Sequence, residues 1–317
     1  MTPAVNANPR HSLSQWEGGL IIDHNCISLS SIPSTWIDAA QADVRFHYAH
    51  TSHGSQIVIG LEMIEDANSA YSVNIGYCSL PTESGALCIY DGNGVEDYIT
   101  PDLYWESAEG LQLTQDTLDN NPTLTVSMWS WCTQLNYYDQ GQVQDYLDAI
   151  AGLEAANPDV TFVYMTCNAQ ADSSEGYNRH VNNEIIRQYC RNNDKVLFDF
   201  ADLDCWHNGV HSTYSYFNGT ATITVPVEHP DFHGDEAGHT TYTSCEQKGK
   251  AFWWMVAMLA GWNAPPPPTS TTSGTTTSGT TTSSGFQQSD NMVLTFSLAV
   301  IGVLVVACVV SNRRYGR

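Results

Sequence analysis

The chain has 317 residues, with 34 acidic side chains against 11 basic ones and a net charge of −23. Nucleic acids and anionic lipids are bound mainly through Lys and Arg, so this balance argues strongly against both as partners. With nine Trp and sixteen Tyr the chain can build a large core, and it is not disordered as a whole.

Strands and helices alternate along the first 262 residues. The predicted elements are, in chain order, a helix over 35–42, a strand over 44–49, a helix from 55 to about 67, short β-like pieces over 71–101, a helix over 106–120, a strand over 124–131, a helix over 142–156, a strand over 160–165, a helix over 176–193, a strand over 195–200, a long loop over 205–244 and a helix over 245–262. The glycine-rich region 71–101 is predicted to lie outside the main sheet, as a β-hairpin across Cys78 and Cys88.

This alternation predicts an α/β fold with a parallel sheet covered by helices on both faces. Ligands of such sheets bind outside the carboxyl ends of the strands. Four predicted strand ends carry polar or reactive groups, namely Ser52, the segments 130–134 and 166–170, and the pair Asp202 and Asp204. The sequence therefore predicts a functional site at this edge of the sheet.

Ser52 stands at the predicted strand-to-helix turn, between His50 and His53 and just before Gly54. A turn of this kind lifts a hydroxyl out of the sheet, and the helix N-terminus behind it offers free N–H groups to an oxyanion. On spacing alone, a simple helix cap is the more common role of a serine before a helix. The hypothesis of a nucleophile therefore depends on the convergence of the other strand ends.

The order of these segments, with HTSHGSQ at 50–56 and KGKAFWW at 248–254, resembles the SGNH (GDSL-like) hydrolases. More narrowly, it resembles a mostly uncharacterised subgroup of secreted or surface-anchored SGNH-like domains of bacteria and archaea. The resemblance covers residues 20–262. It implies a three-layer, flavodoxin-like arrangement and ester hydrolysis.

The resemblance places the nucleophile on Ser52, although His-Thr-Ser stands where the family has Gly-Asp-Ser. It places the general base on His239, with Glu236 or Asp235 as the orienting carboxylate, because 236–239 has the spacing of the family's Asp-x-x-His. The family's oxyanion Asn is missing from 131–134, so Gln134 or backbone N–H groups near Ser52 would replace it. The residues expected to bind substrate or oxyanion are Gly54, Cys132, Gln134, Asn168, His50 and His53.

A histidine-rich loop precedes the last helix. Its histidines are His207, His211, His229, His233 and His239. Histidines with a carboxylate can bind zinc, but no predicted helix aligns these, so we interpret the loop as a polar rim of the site. A metal bound by His207, His211, His229 and His233 is the minor alternative, and otherwise no metal or cofactor is expected.

The domain organisation follows from composition. Its parts are an N-terminal extension (1–19), an extracellular domain (20–263), a Pro/Thr/Ser/Gly-rich stalk (264–290), a transmembrane helix (291–311) and a basic cytoplasmic tail (312–317). The arginines after the apolar run place the C-terminus in the cytoplasm and the domain outside the cell membrane. Residues 1–19 have no apolar run of signal-peptide type, which leaves the export route open.

Eight cysteines precede the stalk, and an exported domain favours disulfides. Cys78 with Cys88, and Cys132 with Cys167, are the pairs considered, although sequence does not fix the pairing. Asn218 begins a glycosylation sequon.

Two functions are consistent with these features. The first is a surface-anchored esterase or deacetylase that uses Ser52 and His239 on extracellular carbohydrate or other esters. The second is a non-catalytic domain of the same fold that binds a glycan or a partner protein.

Overall fold

A computed structural model describes residue 16 and residues 18–264. The predicted membrane helix (291–311) and basic tail (312–317) lie outside the described residues, as does the stalk beyond residue 264 and nearly all of the N-terminal extension. Among the residues that are described, none of the helices combines the length and apolarity that crossing a bilayer requires.

The centre of the fold is a seven-stranded sheet in which all neighbouring strands are parallel. Its strands are β1 (Leu20–Ile22), β2 (Arg45–Ala49), β3 (Val73–Tyr77), β4 (Leu87–Asp91), β5 (Val126–Trp129), β6 (Thr161–Met165) and β7 (Val196–Phe198). Their order across the sheet is β1-β7-β6-β5-β2-β4-β3. The predicted α/β fold with a parallel sheet is confirmed.

Seven α-helices accompany the sheet in the described part of the chain. They are α1 (Ser34–Asp43), α2 (Ser55–Ala67), α3 (Ala108–Asn120), α4 (Gln140–Ala156), α5 (Ser173–Asn192), α6 (Phe200–Cys205) and α7 (Tyr242–Leu259). Every residue of β4, β5 and β6 is buried. Because successive side chains of a strand point to opposite faces, both faces of the sheet are covered. One group of contacting helices is α1, α2 and α7, and the other is α3, α4 and α5.

Local sequence explains where the main helices begin and end. Asp139 and Gln142 form a reciprocal capping box at the start of α4. Asn157-Pro158 follows the last residue of α4, and the proline disfavours helical geometry at Asn157. Thr241 caps α7 by accepting a hydrogen bond from Ser244 N. These signals are readable in the sequence, so these helix boundaries lie within a few residues of the predicted ones.

The prediction of a hairpin across Cys78 and Cys88 is wrong. β3 and β4 run parallel, with Val73 opposite Leu87 and Tyr77 opposite Asp91, and both belong to the main sheet. The physical reason is burial: β4 pairs with β2 on its other side and is covered on both faces, so it is an interior strand and not part of a peripheral excursion.

Two smaller features were not predicted. β1 forms an edge of the sheet beside β7. The loop 205–244 contains two antiparallel hairpins, β8 (Trp206–His207) with β9 (Val210–His211), and β10 (Thr213–Phe217) with β11 (Thr222–Pro226). All eight cysteines of the described residues are free thiols, so the structure holds no pair among them that supports the expected disulfides.

Candidate active site

Three loops meet where parallel strands end. The segments that follow β2, β5 and β6 contribute His53, Cys132 and Gln170 respectively. His53 Nδ1 lies 3.0 Å from Cys132 Sγ, and His53 Nε2 lies 2.8 Å from Gln170 Oε1. We call these three residues the thiol site. The edge of the sheet that the sequence pointed to therefore brings a thiol, an imidazole and an amide into one hydrogen-bonded row.

The network around Gln170 fixes the orientation of its amide. Gln170 Nε2 donates to the backbone carbonyl of His239 and to Glu228 Oε1, the latter at 3.2 Å. A carbonyl can only accept, so the amide nitrogen must face it and Oε1 must face His53. Because Oε1 also only accepts, His53 Nε2 carries a proton and Nδ1 is the nitrogen that exchanges a proton with Cys132.

The surroundings of Cys132 favour its thiolate. Burial alone raises the pKa of a thiol, but the hydrogen bond and positive charge of His53, with the hydroxyls of Thr51 and Ser52, outweigh burial and lower the pKa of Cys132 to about 7. Thr51 Oγ1 is buried and has no other partner, and Ser52 Oγ lies 3.9 Å from the sulfur. Three consecutive side chains thus surround one sulfur atom.

His53 responds in the opposite sense to the same contact. Burial disfavours its imidazolium, but the thiolate of Cys132, with a smaller contribution from Gln170, outweighs this and raises the pKa of His53. A lowered thiol pKa beside a raised imidazole pKa favours the thiolate–imidazolium pair near neutrality. The thiol site can therefore present an activated sulfur nucleophile.

Ser52 lies at the mouth of the sheet, as predicted, in a short 3-10 turn over Ser52–Gly54 that leads into α2. Within the described residues, no hydrogen bond joins its hydroxyl to a histidine, and Ser52 Oγ contacts Cys132 Sγ. Gly54 is required by packing, since a Cβ there would lie 2.3 Å from His50 Cβ. The structure places Ser52 next to the thiol site without a base of its own.

His50 contacts its own turn and Asp91. Its Nδ1 contacts its neighbour's carbonyl, Thr51 O, at 2.7 Å, and its Nε2 lies 3.0 Å from Asp91 Oδ1. Both side chains are almost fully buried. His50 therefore stabilises the turn that carries Ser52 and His53.

His239 lies in the segment between β11 and α7. Its ring lies 4.9 Å from the ring of His53, centroid to centroid, and its Nδ1 lies 3.5 Å from Asp235 Oδ1. Gly238 and His239 both have positive φ, of 55° and 68°, within a tight turn closed by the bridge between Ala237 and Thr240. The carboxylate of Glu236 instead accepts a hydrogen bond from Tyr242 N at 2.7 Å, at the start of α7.

Gln134 and Asn168 hold the backbone of the thiol residue. Gln134 Oε1 accepts a hydrogen bond from Cys132 N at 2.8 Å, and Asn168 Nδ2 donates to Cys132 O. Cys167 Sγ lies 2.9 Å from the same carbonyl oxygen. These contacts position Cys132, and they occupy the amide oxygen of Gln134 and the amide nitrogen of Asn168.

A buried charged layer lies behind Gln170. Lys248 Nζ is 2.7 Å from Asp204 Oδ1, and Asp204 Oδ2 accepts a hydrogen bond from Ala169 N, next to Gln170. Burial and the charge of Asp204 raise the pKa of Glu228 to about 7, against the opposing contacts of Gln170 and Lys248. Gln170 and Glu228 are the site residues that sequence reasoning missed; Gln170 ends one of the segments singled out, but nothing in the sequence pairs it with His53.

One group of three potential metal ligands lies together in the described residues, Asp23, His24 and Asp202. It does not include the histidines His207, His211, His229 and His233, for which a metal was the minor alternative. His24 Nδ1 is 2.6 Å from Asp202 Oδ2, and its ring stacks on Trp206. A histidine–aspartate pair accounts for this contact, so the group carries no argument about a cofactor.

A search of protein-family models and a search of curated proteins found no match to this chain. The geometry of the site is therefore the basis for its interpretation. A largely apolar groove of about 600 Å³ is lined by residues of α5 and β11 such as Tyr177, Ile185 and Ile223, and shares no residue with the thiol site.

Proposed function

We propose that the chain is an acyl hydrolase that cleaves esters through a covalent intermediate at the mouth of the parallel sheet, with Cys132 as the nucleophile and His53 as its acid and base. The observation that carries the proposal is the row Cys132–His53–Gln170, with contacts of 3.0 and 2.8 Å. A nucleophile, a base and a third group that orients the base form the arrangement used for acyl transfer.

The geometry supports a definite sequence of proton transfers. The thiolate of Cys132 attacks the ester carbonyl carbon, and the proton on His53 Nδ1 passes to the leaving alkoxide as the carbon–oxygen bond breaks. Neutral His53 then takes a proton from water, whose oxygen attacks the thioester, and returns that proton to the sulfur as the acid is released. Gln170 keeps the ring in the orientation that both steps need.

Two features agree with the SGNH-type architecture that we propose for the domain. Setting the edge strands β1 and β3 aside, the order is β4-β2-β5-β6-β7, which is the flavodoxin-like pattern with the first strand second from the edge. The loop after that first strand carries Ser52 and His53. We propose the thiol of Cys132, in the loop after β5, as the nucleophile, because no histidine of the described residues is hydrogen-bonded to Ser52 Oγ.

A second candidate is a non-catalytic binding domain of the same fold that recognises a glycan or a partner protein. One observation favours it: the N–H of Cys132, which would be a natural donor to an oxyanion, is occupied by Gln134 Oε1 at 2.8 Å. The proposed membrane anchor would hold either kind of domain close to extracellular polymers.

The two candidates are separated by a comparison of the full chain with its Cys132→Ala and Ser52→Ala variants on p-nitrophenyl esters. We expect Cys132→Ala to lose at least about a hundredfold in kcat/KM, because the nucleophile is gone, and Ser52→Ala to lose much less. Mass spectrometry of the acylated protein should locate the acyl group on Cys132.

Circular dichroism checks that each variant is folded. Retained activity in Cys132→Ala with loss in Ser52→Ala would overturn the thiol mechanism in favour of the serine. Equal inactivity of all three folded proteins, with no acylation of Cys132, would leave the binding domain as the better proposal.

A further inference from the structure

Cys132 and Cys167 lie next to each other in the loops that follow two neighbouring parallel strands. β5 pairs with β6 at an offset of 35 residues, as in Val126 opposite Thr161, and the same offset separates Cys132 from Cys167. Cys167 Sγ lies 2.9 Å from the backbone oxygen of Cys132, so the two loops are still adjacent beyond the last paired residues. A second thiol is therefore in contact with the residue that carries the activated sulfur.

The spacing of neighbouring strands suits a disulfide. Such strands lie about 4.7–4.9 Å apart, and disulfides join residues whose Cα atoms are about 4.4–6.8 Å apart. Asn168 Nδ2 donates to Cys132 O, and Cys167 N donates to Asn183 Oδ1 at 2.9 Å, so both backbones are held in place. To form the bond, the Cys167 sulfur must turn from the oxygen of Cys132 to its sulfur, and a change of side-chain rotamer is the smallest movement of this kind.

The two thiols differ in reactivity. Burial acts to raise the pKa of Cys132, but His53, whose Nδ1 lies 3.0 Å from the sulfur, outweighs burial and lowers this pKa to about 7. Cys132 is also only half-buried, whereas Cys167 is fully buried and burial raises the pKa of Cys167 to about 12. Peroxides react with thiolates that solvent can reach, and a buried thiol is inert to them. Cys132 is therefore the sulfur that an oxidant attacks first.

We propose that Cys132 is a peroxide-sensitive site, at which a hydroperoxide oxidises the sulfur and Cys167 then closes a reversible disulfide. In the first step the thiolate of Cys132 attacks the terminal oxygen of the peroxide, the O–O bond breaks, and the proton of His53 passes to the departing oxygen, which leaves as water or an alcohol. In the second step the sulfur of Cys167 attacks the sulfenic sulfur, the S–O bond breaks, and the Cys167 proton leaves with that oxygen as water. The peroxide gains two electrons, and the two thiols together lose two.

The proposal does not depend on ester cleavage. Both cysteines are free thiols in the structure, so the bond is not a standing part of the fold. Oxidation needs the thiolate but no oxyanion donor, and the N–H of Cys132 is occupied by Gln134 Oε1 at 2.8 Å. One consequence alone rests on the proposed function: the disulfide removes the nucleophile, so ester hydrolysis should stop until a thiol reductant restores it.

Peptide mapping of the full chain tests the proposal. The reduced chain is treated with hydrogen peroxide, with or without dimedone to trap sulfenic acids, and is then digested without reductant. We expect a Cys132–Cys167 disulfide peptide that dithiothreitol removes, and oxidation of Cys132 at least about tenfold faster than that of Cys78. Cys78 is a suitable internal control because it is also partly exposed, while burial and nearby carboxylates raise its pKa.

Two serine variants assign the role of Cys167. Cys167→Ser keeps a group that can donate to Cys132 O but cannot form the bond, so the dimedone adduct of Cys132 should increase by about tenfold or more over the parent chain. Cys245→Ser is the matched control, because Cys245 is equally buried and its sulfur also contacts a backbone oxygen, Ala237 O at 3.8 Å. The disulfide peptide should form in this variant as in the parent, and circular dichroism checks that both variants are folded.

Oxidation of Cys132 that is no faster than that of Cys78 would overturn the peroxide-sensitive site. A disulfide from Cys132 to another cysteine, or equal dimedone labelling of the parent and Cys167→Ser, would overturn the role of Cys167. If the disulfide forms while no p-nitrophenyl ester is cleaved, the proposed hydrolase function falls and the redox proposal stands. Ester cleavage that needs Cys132, without any disulfide after peroxide treatment, gives the reverse conclusion.

Discussion

The proposed mechanism depends on one sulfur atom, Cys132 Sγ. The sequence singled out Cys132 as a possible contact to the oxyanion or substrate and as a possible disulfide partner of Cys167, and not as a nucleophile. Its proposed role depends on His53 Nδ1, which lies 3.0 Å from Cys132 Sγ. His53 precedes Cys132 by 79 residues and three strands. Only the parallel order of β2 and β5, which are neighbours in the sheet, brings the two side chains together.

The lowered pKa of Cys132 gives the first residue-scale prediction. Alkylation by iodoacetamide requires the thiolate, so its rate at Cys132 should rise with pH and level off above a midpoint near 7, where the pKa of Cys132 lies. Below this midpoint the thiol holds its proton and reacts slowly. The measurement is the pH dependence of the labelling rate, read for each cysteine by mass spectrometry.

Two comparisons make this prediction specific. Cys78 is an internal control: burial and the carboxylates Asp97 and Asp91 raise its pKa above 9.0, so its labelling should still be increasing at pH 9. His53→Ala should move the Cys132 midpoint upward by about one unit or more, because the imidazolium no longer stabilises the thiolate. A Cys132 midpoint that is the same with and without His53 would contradict the proposed pair.

At the scale of elements, the contact between α2 and α7 determines how the site is held. Gly60 of α2 and Gly249 of α7 face each other, and a Cβ at Gly60 would lie 1.9 Å from Cys245 O. The two helix backbones thus approach closely at this point. α2 begins immediately after the turn that contains His53, and α7 follows the turn that contains His239. The packing of α2 against α7 therefore fixes the positions of His53 and His239 relative to each other.

This contact predicts a large effect from one methyl group. Gly60→Ala should lower the free energy of unfolding by roughly 3 kcal/mol, because the added carbon collides with rigid backbone and the helices must separate. Gly152→Ala is the control: Gly152 is an exposed position of α4 with no atom within 4 Å of the added carbon, and the change should raise stability by about 0.5–1 kcal/mol through helix propensity.

Urea unfolding monitored by tryptophan fluorescence, with a reductant present, measures both variants. Because α2 and α7 hold the histidines, we also expect Gly60→Ala to slow alkylation of Cys132 relative to the unmodified chain. Equal stability of the two variants would show that α2 and α7 are not packed as closely as Gly60 and Gly249 indicate.

The sequence predicted those elements whose signals are local. The apolar runs of β5 and β6 and the cap of α4 are complete within a short window, and these elements were placed to within a few residues. The direction of β4 was missed, because parallel and antiparallel partners present the same apolar run and differ only in the path of the intervening chain. β1 was missed because three residues are too few to show a period.

At the scale of the whole molecule, the candidate site could be located but not assembled from sequence. The rule that ligands bind at the carboxyl ends of parallel strands pointed to loops that meet in the structure. The rule does not say which side chains meet. Gln170, for example, contacts His53, Glu228 and His239, which lie in three other segments of the chain. Pairings of this kind are set by the tertiary arrangement of loops, which have no periodic signal to read.

The buried layer behind the site links its chemistry to the stability of the whole domain. Glu228 is almost completely buried, contacts Gln170 and Thr240, and lies near Asp204, whose charge adds to burial in raising the pKa of Glu228 to about 7. The folded protein therefore retains a proton on Glu228 between about pH 4.5 and 7, where the unfolded chain has released it. Where the native state binds more protons than the unfolded state, the free energy of unfolding falls as pH rises.

Glu228→Gln should remove this dependence. Gln keeps the shape and a hydrogen-bond acceptor but cannot ionise, so we expect the variant to be more stable than the unmodified chain at pH 8, by about 2–3 kcal/mol, and to differ little at pH 4.5. Urea unfolding at both pH values tests this, with the difference between variant and parent as the readout, because other groups titrate equally in both. The opposite result is a stability difference, variant minus parent, that is lower at pH 8 than at pH 4.5. It would mean that the fold stabilises the carboxylate form of Glu228.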